Sequence, residues 1–183
     1  MNLANKITIF RILLVPFFIA SVLYYGEARH YFRFIALGLF ALASLTDAID
    51  GGIARSRGQV TELGVVLDPV ADKLLIASAF ISLSVIKNIP PDLRIPAWVV
   101  LIVLTRDIII VLGSGIIYFL KGNVAIKPSF LGKATTFFQM VAIMALLAVF
   151  RYHKFFIYPA AFFTTLSGID YIWRGSRQLN EVQ

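Results

Sequence analysis

Four aspartates in two short stretches, DAID at 47–50 and DPVAD at 68–72, have the types and spacing to do chemistry. Asp47 and Asp50 are i, i+3, while Asp68 and Asp72 are i, i+4. Each pair therefore shares one face of a helix. A tight turn at Ser56-Arg57-Gly58-Gln59 would make the two helices antiparallel neighbours. Asp50 then lies level with Asp68, and Asp47 with Asp72. Four like charges converging in a poorly polar site cannot all stay ionised unaided. Either protein cations or bound metal must answer them. Arg55, Arg57 and Lys73 are close in sequence, but the two arginines fall beside the turn. Divalent metal is the more direct answer, and an all-oxygen donor set favours Mg²⁺, Mn²⁺ or Ca²⁺ over zinc. Four carboxylates on two helices suit two such ions, an arrangement used in phosphoryl chemistry. The plainer alternative is that the acids cap helices or pair with Arg and Lys.

The elements that must position these acids belong in a membrane. Of 183 residues, 59% are hydrophobic and only 15% are charged. The mean hydropathy is +0.84. Soluble domains sit nearer half apolar and a quarter charged. The expected class is an all-α integral membrane protein, a single domain over residues 1–183. Six apolar segments approach the ~20 residues a span needs: 7–25, 31–55, 61–86, 95–120, 131–150 and 155–173. They predict a six-helix transmembrane bundle with a polar cavity facing the cytosol. Lys6 and Arg11 before ILLVPFFIASVLYY mimic a signal peptide, but the further apolar segments favour a retained first helix. Cysteine is absent, which excludes disulfides and thiolate metal sites. The net charge of +7 lies mostly at the flanks of apolar runs, which suits anionic headgroups or substrates and not nucleic acid.

Six spans put both termini on one side. The excess of Lys and Arg on that side, including Arg55, Arg57, Lys121 and Lys133, places the termini and the 47–72 hairpin in the cytoplasm. The expected location is the cytoplasmic membrane. Gly64 and Ala54 continue the two acidic stripes toward the turn. Gly51 and Gly52 let another group approach the backbone.

Written out, D47-A-I-D50-G51-G-I-A54-R55, eight residues, then G64-V-V-L-D68-P-V-A-D72 resembles the signature of the CDP-alcohol phosphatidyltransferases, DxxDGxxAR-x8-GxxxDxxxD. Every defined position matches, with the spacing intact. NKITIFRILLVP at the start, DPVADKLL, TRDIII at 105–110 and LGKATTFFQM at 131–140 are similar to the bacterial phosphatidylglycerophosphate synthase branch. The resemblance implies attack by an alcohol on the β-phosphorus of a CDP-linked lipid, CDP-diacylglycerol, with release of CMP. It implies that Asp47, Asp50, Asp68 and Asp72 bind two ions, Mg²⁺ or Mn²⁺, and that Asp72 is the general base. It implies a CDP site at Asp47, Gly51, Ala54, Arg55 and Gly64. The branch implies sn-glycerol 3-phosphate as acceptor, and membrane lipid and a homodimer partner as surroundings.

A dianionic acceptor needs basic groups. Arg106 lies deep in an apolar helix, where an arginine is costly without a task or partner. The alternative is an intramembrane ion pair; Asp107 adjoins it but should point elsewhere around the helix. Lys133 at the start of the fifth helix works against the macrodipole, which suits anion binding as well as interfacial snorkelling. Thr8 and Arg11, with Asn5, form an i, i+3 stripe that either faces the cavity or marks an interfacial helix. Lys127 and Lys73 are weaker candidates. His30 and His153 fall in outer loops. Gly113, Ser114 and Gly115 suggest a close helix contact, within one chain or across a dimer. Trp98 and Trp173 suit interface anchors.

Three other readings compete. The acceptor could be inositol phosphate or another alcohol. Intramembrane acids also mark cation pathways, but a transporter needs access from two sides and these acids cluster at one depth. A non-catalytic scaffold is the third, and the intact acid set argues against it.

Overall fold

A computed structural model describes residues 3–26, 28–57, 62–121, 129–149 and 151–180. Within these, the side chains of residues 3–5, 48–57, 62–69, 116–121 and 178–180 lie outside the description. Six α-helices follow in order: α1 Leu3–Leu23, α2 Tyr31–Arg57, α3 Glu62–Val85, α4 Ala97–Lys121, α5 Phe130–Leu147 and α6 His153–Asn180. A single 3₁₀ turn, Pro91–Leu93, precedes α4, and no strand occurs among the described residues. Among the described residues, four stretches are long and apolar enough to cross a bilayer: Lys6–Leu23, Pro91–Gly115, Phe130–Leu147 and His153–Arg177. The all-helical membrane class therefore holds. The chain divides into two compact units, Met1–Ile95 with Ile143–Arg151, and Pro96–Ala142 with Tyr152–Gln183.

In the first unit α1 packs on both α2 and α3. The helix is apolar on both faces, and its polar groups are turned inward. Phe10, Leu13 and Phe17 are exposed, while Thr8 and Arg11 are buried. That is the pattern expected when the surroundings are lipid and the polar groups must be answered inside. The buried stripe runs Thr8, Arg11, Leu14, Phe18, Val22 at spacings of three and four. Pro16 lies inside α1 and removes one backbone donor. The buried stripe of α2 is Ala36, Phe40 and Ala43. Small residues there let α1 approach, and the Phe18 and Phe40 rings meet at 5.8 Å.

Beyond α3 the chain is pinned by its own polar groups. Arg94 donates from Nε to the Ile89 carbonyl at 2.9 Å and from Nη2 to the Lys87 carbonyl at 2.6 Å. Asn88 donates to the Leu23 carbonyl at 3.3 Å. The C-terminal ends of α1 and α3 therefore meet, and the two helices run parallel.

In the second unit α4 and α6 pack together. The contacts Arg106 to Ser167 and Ile110 to Tyr171 advance together along both helices, so these also run parallel. A polar seam joins α5 to α6. Thr135 donates to the Phe163 carbonyl at 2.9 Å, and Gln139 Nε2 donates to Thr164 Oγ1 at 3.0 Å. Phe138 stacks on Phe163 with ring centroids 4.7 Å apart. Ser129 caps α5, its Oγ accepting from the Gly132 N–H at 3.0 Å. Trp98 and Trp173 are exposed near helix ends, and the Arg177 guanidinium lies 4.1 Å over the Trp173 ring.

Candidate functional site

Arg11 and Asp47 form the polar end of the α1–α2 contact. Arg11 Nη1 lies 2.5 Å from Asp47 Oδ1. Asp47 follows Ala36, Phe40 and Ala43 at helical spacing, so it is the next position on the buried stripe of α2. The pairs Arg11–Asp47 and Phe18–Phe40 have residue numbers of equal sum, the signature of one antiparallel register. Val22 with Ala36 and Tyr25 with Arg33 continue that register and line a common small pocket. Extended one turn the other way, the register puts Thr8 level with Asp50.

The two partners differ in exposure. The Arg11 side chain is 1% exposed and that of Asp47 is 37% exposed. A buried guanidinium thus holds a carboxylate that is still open to the surroundings. Neither Nε nor Nη1 of Arg11 makes a hydrogen bond among the described residues, so the contact with Asp47 is one of charge. Arg11 is an expected acceptor-phosphate residue, and in the structure its guanidinium lies against the first aspartate of the motif. The sequence signal was the Thr8–Arg11 stripe in an otherwise apolar helix. What it lacked was the partner, which lies 36 positions away on another helix.

Asp72 is half-buried on α3, beside the fully buried Ala71. Since α3 runs parallel to α1, the N-terminal part of α3 lies toward the Arg11–Asp47 end of the unit. The side chains of Asp50, Gly51, Ala54, Arg55, Gly64 and Asp68 lie outside the described residues, as do those of Arg57 and Asn5. Their backbones are helical, in α1, α2 and α3. Among the described residues no three His, Cys, Asp or Glu side chains come together. Of the four motif aspartates, only Asp47 and Asp72 have described side chains. Their donor set is oxygen alone, and Asp47 remains partly open, so both fit a hard divalent cation.

In the second unit Arg106 is 7% exposed. Its Nη1 donates to Asp107 Oδ1 and its Nη2 to Ser167 Oγ, each at 2.8 Å. The expectation that Asp107 points elsewhere is therefore corrected. An arginine side chain is long enough to bend around the helix and reach the adjacent carboxylate. Gly168 and Gly132 make room for it. A Cβ on Gly168 would meet Arg106 Cγ at 3.5 Å, and one on Gly132 would meet Nη2 at 3.5 Å. The guanidinium thus sits against the first turn of α5, where backbone N–H groups favour anions. Arg106 Nε has no hydrogen bond among the described residues. Lys133 is exposed in that same first turn, and Lys127 lies outside the described residues. A groove of about 310 Å³ along α4 and α6 has Arg106 in its wall.

Other expectations are resolved locally. Gly113 and Ser114 make their close contact within the chain, against Tyr171 of α6, while Gly115 faces open space. His30 lies in the loop before α2, but His153 is buried and begins α6. Ser167 escaped the sequence reading. A small hydroxyl in an apolar helix most often bonds its own carbonyls, so nothing marked it as a partner for arginine.

A model of the CDP-alcohol phosphatidyltransferase family matches residues 1–166. A probable phosphatidylglycerophosphate synthase of Mycobacterium tuberculosis is 36% identical, over 100% of this chain and 85% of that protein. The CDP-diacylglycerol–glycerol-3-phosphate 3-phosphatidyltransferase of Bacillus subtilis is 35% identical over 93% of each chain. The protein of the same name from Rickettsia felis is 34% identical, again over 93% of each.

Proposed function

The chain belongs to the CDP-alcohol phosphatidyltransferase family, and from that membership we propose that it is a phosphatidylglycerophosphate synthase. It transfers the phosphatidyl group of CDP-diacylglycerol to sn-glycerol 3-phosphate and releases CMP. The observation that carries this reading is the complete acid and glycine pattern from Asp47 to Asp72, set in a chain similar along its length to proteins named for this reaction.

Asp47, Asp50, Asp68 and Asp72 would hold two Mg²⁺ or Mn²⁺ ions, which supply charge neutralisation at the pyrophosphate and at the departing CMP. The chain's own residues do the rest. Gly51, Ala54, Arg55 and Gly64 receive the CDP moiety, small residues admitting it close to backbone. Asp72 takes the proton from the acceptor hydroxyl as its oxygen bonds to the β-phosphorus. The bond from that phosphorus to the oxygen of CMP breaks, and CMP leaves with the electron pair. Arg106 and Lys133 bind the acceptor's phosphate. Arg106 suits this because Ser167 and Asp107 already fix its guanidinium, so little side-chain entropy remains to be lost. The protein works as a six-span homodimer in the cytoplasmic membrane, its polar cavity open to the cytosol.

The test is purified protein in detergent with CDP-diacylglycerol, Mg²⁺ or Mn²⁺ and a panel of labelled acceptors. CMP release is expected with glycerol 3-phosphate, abolished by chelation and restored by added metal. Asp68→Asn should abolish it at every metal concentration. No release with any acceptor sinks the reading. Release with inositol phosphate alone replaces the acceptor.

A further inference from the structure

Arg11 is a fully buried cation on α1 whose guanidinium touches the first acid of the motif. Burial of an arginine in a lipid-facing helix is costly, so its place needs a reason. Resting on the reading of Asp47 as a metal ligand, we infer that Arg11 is the resident counter-ion of Asp47 and competes with divalent metal for that carboxylate.

The geometry separates this role from acceptor binding. Nη1 lies against Asp47 Oδ1 at 2.5 Å, a direct charge pair without hydrogen-bond alignment. The register that pairs Phe18 with Phe40 holds the two side chains in place, so the pair is built into the α1–α2 contact. Asp47 keeps 37% of its side-chain surface, which leaves room for a second cation on the carboxylate. The arginine therefore offsets one negative charge while metal is away. Once a divalent ion is present, its fixed positive charge opposes that ion. A unit charge held against a ligand in a protein interior lowers affinity for a dication by about a decade or more. The consequence is a site that forms without metal and binds metal loosely enough to exchange.

The experiment measures Mn²⁺ affinity of the full-length protein by electron paramagnetic resonance, with Tm in chelator alongside. Arg11→Gln should bind Mn²⁺ about tenfold more tightly and lose Tm in chelator, with Mn²⁺ recovering most of that loss. Arg11→Lys, which keeps the charge, should bind Mn²⁺ like the parent. The KM for glycerol 3-phosphate should stay within about twofold in both variants. Unchanged or weaker Mn²⁺ binding in Arg11→Gln overturns the inference. So does a rise in glycerol 3-phosphate KM without a change in Mn²⁺ binding, which would make Arg11 an acceptor ligand. If the parent protein binds Mn²⁺ but releases no CMP, the proposed reaction fails while the counter-ion role is still decided by the two affinities.

Discussion

Gly113 of α4 and Tyr171 of α6 stand so close that a Cβ on the glycine would lie 2.8 Å from Cε1 of the ring. The ring is held there by its hydroxyl, which lies 2.8 Å from Ser114 Oγ and donates to the Ile110 carbonyl at 3.0 Å. Gly113→Ala must displace a rigid ring and break those bonds. It should cost about 1–3 kcal/mol, the usual range for overpacking. Gly115→Ala meets nothing within 4 Å and should be neutral or slightly stabilising. Thermal unfolding of both variants in one detergent checks the contrast; equal losses would refute it.

Ser167 makes one of the hydrogen bonds that fix Arg106. Ser167→Ala leaves a buried guanidinium short of a partner and should destabilise by about 1.5–3 kcal/mol. If Arg106 binds the acceptor phosphate, the same variant should raise KM for glycerol 3-phosphate. Arg106→Ala should raise it further, and both should affect KM for CDP-diacylglycerol less. Steady-state kinetics with each substrate varied in turn will show it. A larger effect on the lipid would move Arg106 to the other pocket.

Gln139 is fully buried and bonds Thr164 across the α5–α6 seam. Thr164 Oγ1 also donates to the Ala160 carbonyl at 2.5 Å, so it keeps a partner when Gln139 is gone. Gln139→Leu should therefore cost less than about 1 kcal/mol, in line with interhelical hydrogen bonds measured in membranes. A loss of several kcal/mol would mean the seam carries far more of the packing. Unfolding of the reconstituted protein in denaturant distinguishes the two.

Val149, two residues past α5, has φ 53°, in the left-handed region that a β-branched residue rarely adopts. Its N–H donates to the Leu146 carbonyl at 3.0 Å, so the turn is a helix cap. The side chain is 40% exposed and loses little packing when removed. Val149→Gly should stabilise by about 0.5–1 kcal/mol, strain relief exceeding the added chain entropy. A lower Tm would show that Val149 packs better than its exposure implies.

The helices were legible because apolar runs mark them: each of the six segments overlaps one helix, and among the described residues four stretches are apolar enough to cross a bilayer. Their ends were less so. The run ending near 173 stops at Arg174, but α6 continues to Asn180, because backbone hydrogen bonding does not end where hydropathy does. Arg174 is tied back to Asp170 by a 2.8 Å i, i+4 pair that supports this extension. Spacing within a helix was also readable, and it put Asp47 on a defined face of α2. Partnership between helices was not. Arg11 with Asp47, and Arg106 with Ser167, depend on how separate helices are registered, and a single sequence carries no direct trace of that. The bend of Arg106 onto Asp107 failed for a different cause: helical geometry fixes Cβ directions and says little about where a long side chain ends.

The antiparallel register of α1 and α2 also bears on biogenesis. Arg11 is synthesised long before Asp47, and α1 reaches the translocon carrying a charge that has nothing yet to neutralise it. An isolated arginine inside an apolar helix disfavours release into lipid. Only when some 36 further residues have emerged can the acid fold back beside it. The first two helices are thus best released together, as a hairpin, and Asp47 doubles as the residue that completes the insertion of a segment made before it.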